Sequence, residues 1–227
     1  MANVVCVWAG DTYSEKYVRR LADFAHLHTS KQINFICFTD KTREPIPGVE
    51  FRLMPAMRFV GGKLWWYKIY MFSEEAALTG DCLYLDLDVM PLKTLDVLIE
   101  YNAPFVILQD FNRAHNKNFS VSNSSIIKWR PAAAYYIWKQ FKDQIHEITT
   151  KYRGDQDYIT KIIGTNKTWW PKEYACSFKW EWLTKPEYME PHVLVFHGKP
   201  KPEDFNFDLT KMFKDKNDQL GKNKVHR

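Results

Sequence analysis

Two aspartates one residue apart, Asp86 and Asp88, interrupt an otherwise apolar run, CLYLDLDVMP at 82–91. If this run is a strand, side chains alternate, and both carboxylates share one face, roughly 6–7 Å apart at Cβ. Leu85, Leu87 and Val89 then take the other face. Two ionised carboxylates this close repel each other and are costly to desolvate at the end of a strand that belongs in a core. A raised pKa, basic partners or a bound cation can relieve them. Oxygen ligands of this kind favour Mg2+ or Mn2+, with a substrate phosphate completing the shell. The bland alternative is that one aspartate caps the following turn while the other pairs with Lys or Arg.

Other segments carry chemistry of the same kind. GDQDYI at 154–159 sets Asp155, Gln156 and Asp157 at the start of a helical pattern. The helix dipole accounts for acidic residues there but not for the glutamine. VLVFHGKPKP at 193–202 ends an apolar run in His197, Gly198, Lys199 and Lys201. A neutral imidazole there can ligate a metal, the glycine admits close backbone approach, and either lysine can neutralise a phosphate. Asp110, after the apolar FVILQ, is a further carboxylate at a strand end.

The surrounding pattern must position these groups. Strand-like runs at 3–8, 33–38, 49–53, 82–91 and 104–109 alternate, in the first half, with helical spacing at 12–28 and 63–78. NSSIIKW, YACSFKW and HVLVFHG read as later strands, and the stretch from Pro131 to Tyr152 as one helix opened by proline. Alternation of this kind predicts an α/β fold with right-handed βαβ units, a largely parallel sheet and ligands at the strands' carboxyl ends. At 227 residues one domain is expected, residues 1–210, followed by a basic tail, 211–227.

Composition excludes several classes. No apolar run is long enough to span a membrane. The net charge of +5 is modest and gathers in the tail, where acidic residues interrupt it. No nucleic-acid partner is therefore expected, and the tail offers at most a weak contact for an anionic membrane surface. The four widely spaced cysteines lack ligand spacing and read as buried thiols in a reducing, cytoplasmic setting. Among the abundant aromatics, Trp65 and Trp66 read as packing residues.

CLYLDLDVMPLKTLDVLI resembles the DxD segment of GT-A fold glycosyltransferases, in particular family 8 and its bacterial and phage relatives. The resemblance implies a Rossmann-like, mostly parallel central sheet flanked by helices in a single domain. It also implies a sugar moved from a nucleotide-sugar donor, UDP-linked in most members, to a glycan or other hydroxyl acceptor. Mn2+ or Mg2+ would be held by Asp86, Asp88 and His197. AGDTY at 9–13 is similar to the family's nucleoside site, one residue shorter before the tyrosine. That likeness implies Ala9 and Asp11 at the uracil and ribose and Tyr13 stacked on the base; helix capping by Asp11 and Thr12 is the alternative.

GGKLWWYKIYMF resembles the helix that brings a basic residue to the donor, here Lys68 with Lys63 second. SVSNSSIIKWRP resembles the segment that holds the donor sugar, through Asn123 and Ser124, without the family's glycine. In GDQDYI the likeness implies Asp155 on the sugar hydroxyls and Gln156 near the anomeric carbon. In HGKPKP, shorter than the family's form, it implies Gly198 and Lys199 or Lys201 at the diphosphate. Asp110 would meet donor sugar or acceptor, with acceptor contacts drawn from 54–63, 110–121 and 178–190. Members retain anomeric configuration, so retention is expected. A nucleotidyltransferase is the enzymatic rival, but AGDTYSE lacks its basic, glycine-rich loop. A nucleic-acid- or sugar-binding domain is the non-catalytic rival.

Overall fold

The computed structural model describes residues 2–116, 118–184, 190–208, 211 and 214. The expected basic tail thus lies almost wholly outside the described residues. The first strands are β1 (Ala2–Trp8), β2 (Ile33–Thr39), β3 (Glu50–Leu53), β4 (Cys82–Leu85) and β5 (Val89–Pro91). The later ones are β6 (Phe105–Gln109), β7 (Ser122–Trp129), β8 (Thr168–Trp169), β9 (Ala175–Ser177) and β10 (Val193–Val195). The helices are α1 (Glu15–Leu27), α2 (Asp96–Ile99), α3 (Tyr135–Lys142), α4 (Ile145–Lys151) and α5 (Asp155–Ile163).

Seven strands form one sheet in the order β3-β2-β1-β4-β7-β6-β8. Its pairings leave β7 running against the other six, so the sheet is mostly parallel. Strand alternation divides the core between the two faces. Val4, Cys6 and Trp8 of β1 pack under α1 with Tyr17, Val18 and Leu21. Val5 joins Ile36 and Phe38 on the opposite face, beneath Trp66, Met71, Phe72, Phe141 and Tyr158. Each large apolar side chain buried this fully contributes about 1.5–3 kcal/mol, so both faces anchor the sheet whose strand ends carry the site. The four cysteines are free and buried. Among the described residues no helix is long and apolar enough to cross a membrane.

The structure corrects four local expectations. The run 82–91 is not one strand: β4 stops at Leu85, Asp86–Asp88 form a turn, and β5 leaves for a second sheet of order β5-β10-β9. Shared strand-face geometry therefore does not set the two carboxylates; the change of sheet does. The segment Leu64–Phe72 is a 3-10 helix, with Trp66 to Phe72 all buried. It lacks the polar face that would favour a 3.6-residue period. The expected single helix after Pro131 breaks into a 3-10 turn (Pro131–Ala133), α3 and α4. YACSFKW holds its strand only to Ser177, then winds into a π-helical turn, Phe178–Trp182.

Candidate active site

The two sheets meet at the DxD turn. In the small sheet, Val89 pairs with Val195 in antiparallel register. Residues just before Val89 therefore face those just after Val195, which brings Asp88 to Phe196 and the turn to His197. Four hydrogen bonds hold the turn. Asp86 N donates to Ser125 O at 2.9 Å, and Val89 N to Asp86 O at 3.2 Å. The guanidinium of Arg20, on α1, donates to Leu87 O at 2.8 Å and Val89 O at 2.6 Å.

A cleft of about 730 Å³ opens over this junction. Ala9, Tyr13, Lys68, Asp86, Asp88, Asn123, Ser124, Asp155, Gln156 and His197 all line it. Segments from six parts of the chain thus supply these groups that the sequence singled out. Asp11, Asp110, Gly198, Lys199 and Lys201 are not among its lining residues. Asp11 is drawn away by Lys41 at 2.7 Å and Arg43 at 3.4 Å, and its side chain is 77% exposed. It does not cap α1 either: Ser14 stands at the N-cap, without a side-chain bond. Lys199 is exposed and pairs with Asp204 at 3.6 Å. Gly198 has φ of 72°, and a Cβ there would come within 3.1 Å of Lys179 Nζ. The position therefore favours glycine for backbone reasons.

Lys68 is the hub of the floor. Its ammonium lies 2.9 Å from Asp86 Oδ1 and 3.2 Å from Asp155 Oδ2. It also donates to Ser124 Oγ at 2.9 Å, and that hydroxyl donates to Asp155 Oδ2 at 2.6 Å. Burial pulls the Lys68 pKa down, but the two carboxylates outweigh it and leave it above the ordinary lysine value. The exposed-charge alternative for Lys68 does not hold. Tyr84 Oη donates to Asp86 Oδ1 at 2.6 Å. Asp88 accepts from Tyr13 Oη at 2.9 Å and from the ammonium of Lys201. Burial and the neighbouring Asp86 push the Asp88 carboxyl up, against the pull of Lys201 and Tyr13.

His197 Nε2 lies 2.6 Å from Ser177 Oγ, and its ring stacks on Phe111 at 5.4 Å. Burial, with help from Lys179, lowers its pKa to about 4, so the imidazole is neutral at pH 7. Arg113 and Glu181, both buried, brace its surroundings: they pair at 3.1 Å, and Glu181 accepts Ser177 N at 2.9 Å.

Asp86, Asp88 and His197 offer two carboxylates and a neutral nitrogen, a donor set that suits Mn2+ or Mg2+. Charge points the same way. Three aspartates face two lysines on the floor, a formal excess of one negative charge that an incoming diphosphate would worsen. In the arrangement seen, however, each of the three takes protein partners. No group of three His, Cys, Asp or Glu among the described residues is arranged to hold a metal ion.

Asp110 sits apart, at the N-cap of a 3-10 turn (Phe111–Ala114), accepting from Asn112 N at 2.9 Å. It lines a second cavity of about 640 Å³, which shares Lys63, Trp65, Asp155 and Gln156 with the first. Trp66 is fully buried, as expected, but Trp65 is 49% exposed, and the packing reading of Trp65 is corrected. Sequence reading missed Tyr84, Arg20 and Ser177. Tyr84 could have been found, because it shares a strand face with Asp86 two residues on. Arg20 and Ser177 reach the site only through tertiary packing and carry no local signal.

No protein-family model matches the chain, and no curated protein matches it in sequence. Among solved structures, the galactosyltransferase LgtC, determined with donor and acceptor sugar analogs, is similar at TM-score 0.65 and 12% identity, covering 95% of each chain. The glycosyltransferase GlyE of Streptococcus pneumoniae TIGR4 is similar at TM-score 0.65 and 12% identity, over 98% of this chain and 63% of that one. The bifunctional glycosyltransferase WbbM matches at TM-score 0.60 and 12% identity, over 96% of this chain and 49% of its own. The chain therefore has the GT-A fold of these glycosyltransferases.

Proposed function

We propose that the protein is a metal-dependent glycosyltransferase that moves a sugar from a nucleotide-sugar donor, UDP-linked, to a hydroxyl acceptor with retention of configuration. The observation that carries this reading is the convergence of Asp86, Asp88, Asp155, Gln156 and His197 on one cleft. The same cleft takes Ala9 and Tyr13 from the first strand's end, where the nucleoside would lie.

As the glycosidic bond breaks, negative charge builds on the leaving diphosphate. A divalent cation held by Asp86, Asp88 and His197 would supply Lewis-acid stabilisation of that charge. Lys201, beside Asp88, would neutralise the diphosphate, in preference to Lys199, which pairs with Asp204. Asn123, Ser124 and Asp155 would orient the donor sugar, with Asp155 fixed by Lys68. Gln156, on the first turn of α5, lies between the two cavities and would face the anomeric carbon. The acceptor hydroxyl would approach from the cavity lined by Asp110.

The test is release of nucleoside diphosphate from a panel of nucleotide sugars with Mn2+, with and without chelator. Turnover that chelator abolishes is expected, together with its loss in Asp86→Asn/Asp88→Asn. The reading fails if no donor is bound or turned over, and fails equally if the double variant keeps donor and metal binding intact.

A further inference from the structure

Trp65 is the one large aromatic side chain among the described residues that stands open to solvent to this degree, and it does so inside the site. In a 3-10 helix, residues three apart eclipse one another. Trp65 thus shares one side of this helix with Lys68, whose ammonium anchors the floor, and both line the main cleft. The indole is held from two sides. Lys63 Nζ lies 5.7 Å from the ring centroid and donates to Arg153 O at 3.5 Å. The other constraint is Gly154, where a Cβ would lie 3.3 Å from indole Nε1. A side chain at 154 would require the indole to shift by a few tenths of an ångström.

The second cavity, which Trp65 lines, also carries the polar Asp110, Asn112, Gln156 and Asp157, beside the apolar Phe119 and Val121. An apolar plate beside a rim of hydrogen-bonding side chains selects a ligand with the same division. A pyranose ring has it, with axial C–H groups on its flat face and hydroxyls around its edge. A purely apolar ligand would strip water from the carboxylates of Asp110 and Asp157 without replacing it, and a purely polar one would leave the exposed indole uncovered.

We infer that Trp65 is the stacking platform for a pyranose ring of the acceptor, bound in the second cavity with Asp110 and Asn112 on its hydroxyls. The inference rests on the transferase reading and assigns Trp65 the choice of a glycan acceptor over a non-sugar alcohol. It also explains why Gln156 lies on the boundary: the donor carbon and the acceptor hydroxyl must meet there.

The test is direct binding by saturation-transfer NMR to methyl hexosides and to maltose, lactose and cellobiose, for wild type, Trp65→Ala and Trp65→Phe. At least one probe is expected to bind the wild type. Trp65→Ala should weaken it roughly ten- to hundredfold, as truncating an aromatic anchor does. Trp65→Phe, which keeps a ring, should restore most of the affinity and controls for misfolding. With a turned-over donor, acceptor KM should rise by a similar factor and donor KM far less. The inference is overturned if no probe binds the wild type, if Trp65→Ala binds as well, or if donor KM rises as much as acceptor KM. Failure of the transferase reading shows separately, as absence of nucleoside diphosphate release by the wild type.

Discussion

Replacing Lys68 with methionine isolates the physics of the cleft floor. The substitution keeps the volume of the stem and removes one charge. Asp86 and Asp155 then lose the ammonium that lies 2.9 and 3.2 Å from them. The Asp155 side chain is 9% exposed and that of Asp86 24%, so water can compensate the second but hardly the first. Removing one partner of a buried ion pair costs about 3–5 kcal/mol, because an uncompensated charge remains. With a urea dependence of about 2–3 kcal/mol per molar, the unfolding midpoint should fall by roughly 1–2 M. Lys68 is held above the ordinary lysine pKa, so its contribution is fully present below roughly pH 10 and lost only above its folded value. The deficit should therefore be the same at pH 7 and pH 9. Lys68→Met/Asp155→Asn should recover part of it, since the orphaned charge is gone. A midpoint change under about 0.3 M, or no recovery in the double variant, would refute the claim that Lys68 is the electrostatic keystone.

Other consequences can be measured on the same protein. Arg20→Met removes two charge-assisted bonds to Leu87 O and Val89 O, so stability should fall by about 2–4 kcal/mol in urea unfolding and donor KM should rise as the DxD turn loosens. His197 has a folded pKa of about 4 against an ordinary value of 6.5, so the unfolded chain takes up a proton that the folded one refuses between those pH values. Its contribution is present above pH 6.5 and is lost as pH falls toward 4; urea midpoints of ligand-free His197→Gln should show a shallower acid loss than wild type. Lys201→Ala frees Asp88 of its ammonium, so Mn2+ should bind the donor-free protein more tightly by calorimetry while nucleoside diphosphate binds more weakly. Equal or weaker Mn2+ binding would count against a shared position for ammonium and cation.

How much of this was legible in the sequence differs by level. The β-branched runs and their alternation with helical spacing predicted the parallel part of the sheet, because burial on both faces leaves a strong local imprint. The chemistry-bearing residues were also legible, because each departs from its surroundings: carboxylates in an apolar run, a glutamine between aspartates, a histidine at a strand end. What failed was local continuity. Nothing in LYLDLDVMP reveals that β4 and β5 belong to different sheets, since that depends on β10, about a hundred residues later. The aromatic density of LWWYKIYMF likewise looked like packing throughout. The sequence could not say that burial begins at Trp66 and leaves Trp65, one residue earlier, in the cleft. Asp11 was likened to the family's nucleoside site, whereas in the ligand-free arrangement Lys41 and Arg43, from the turn after β2, pair with its carboxylate.

The paired aspartates pose one electrostatic problem that the fold answers twice. Repulsion between Asp86 and Asp88 could be met by protonation, basic partners or a cation, and in the ligand-free arrangement basic partners meet it, one lysine to each carboxylate. The two lysines are not equivalent. Lys68 is buried, shared with Asp155 and bonded to Ser124, so its departure would strand two carboxylates. Lys201 has one carboxylate partner, a partly exposed side chain and a place on the segment that follows His197. Its pairing with Asp88 can be exchanged at small cost, because any cation arriving at Asp88 compensates the loss and leaves the ammonium free for a phosphate. Lys68 thus braces the floor, and on the proposed function Lys201 would let Asp88 serve first as an ion-pair partner and then as a ligand.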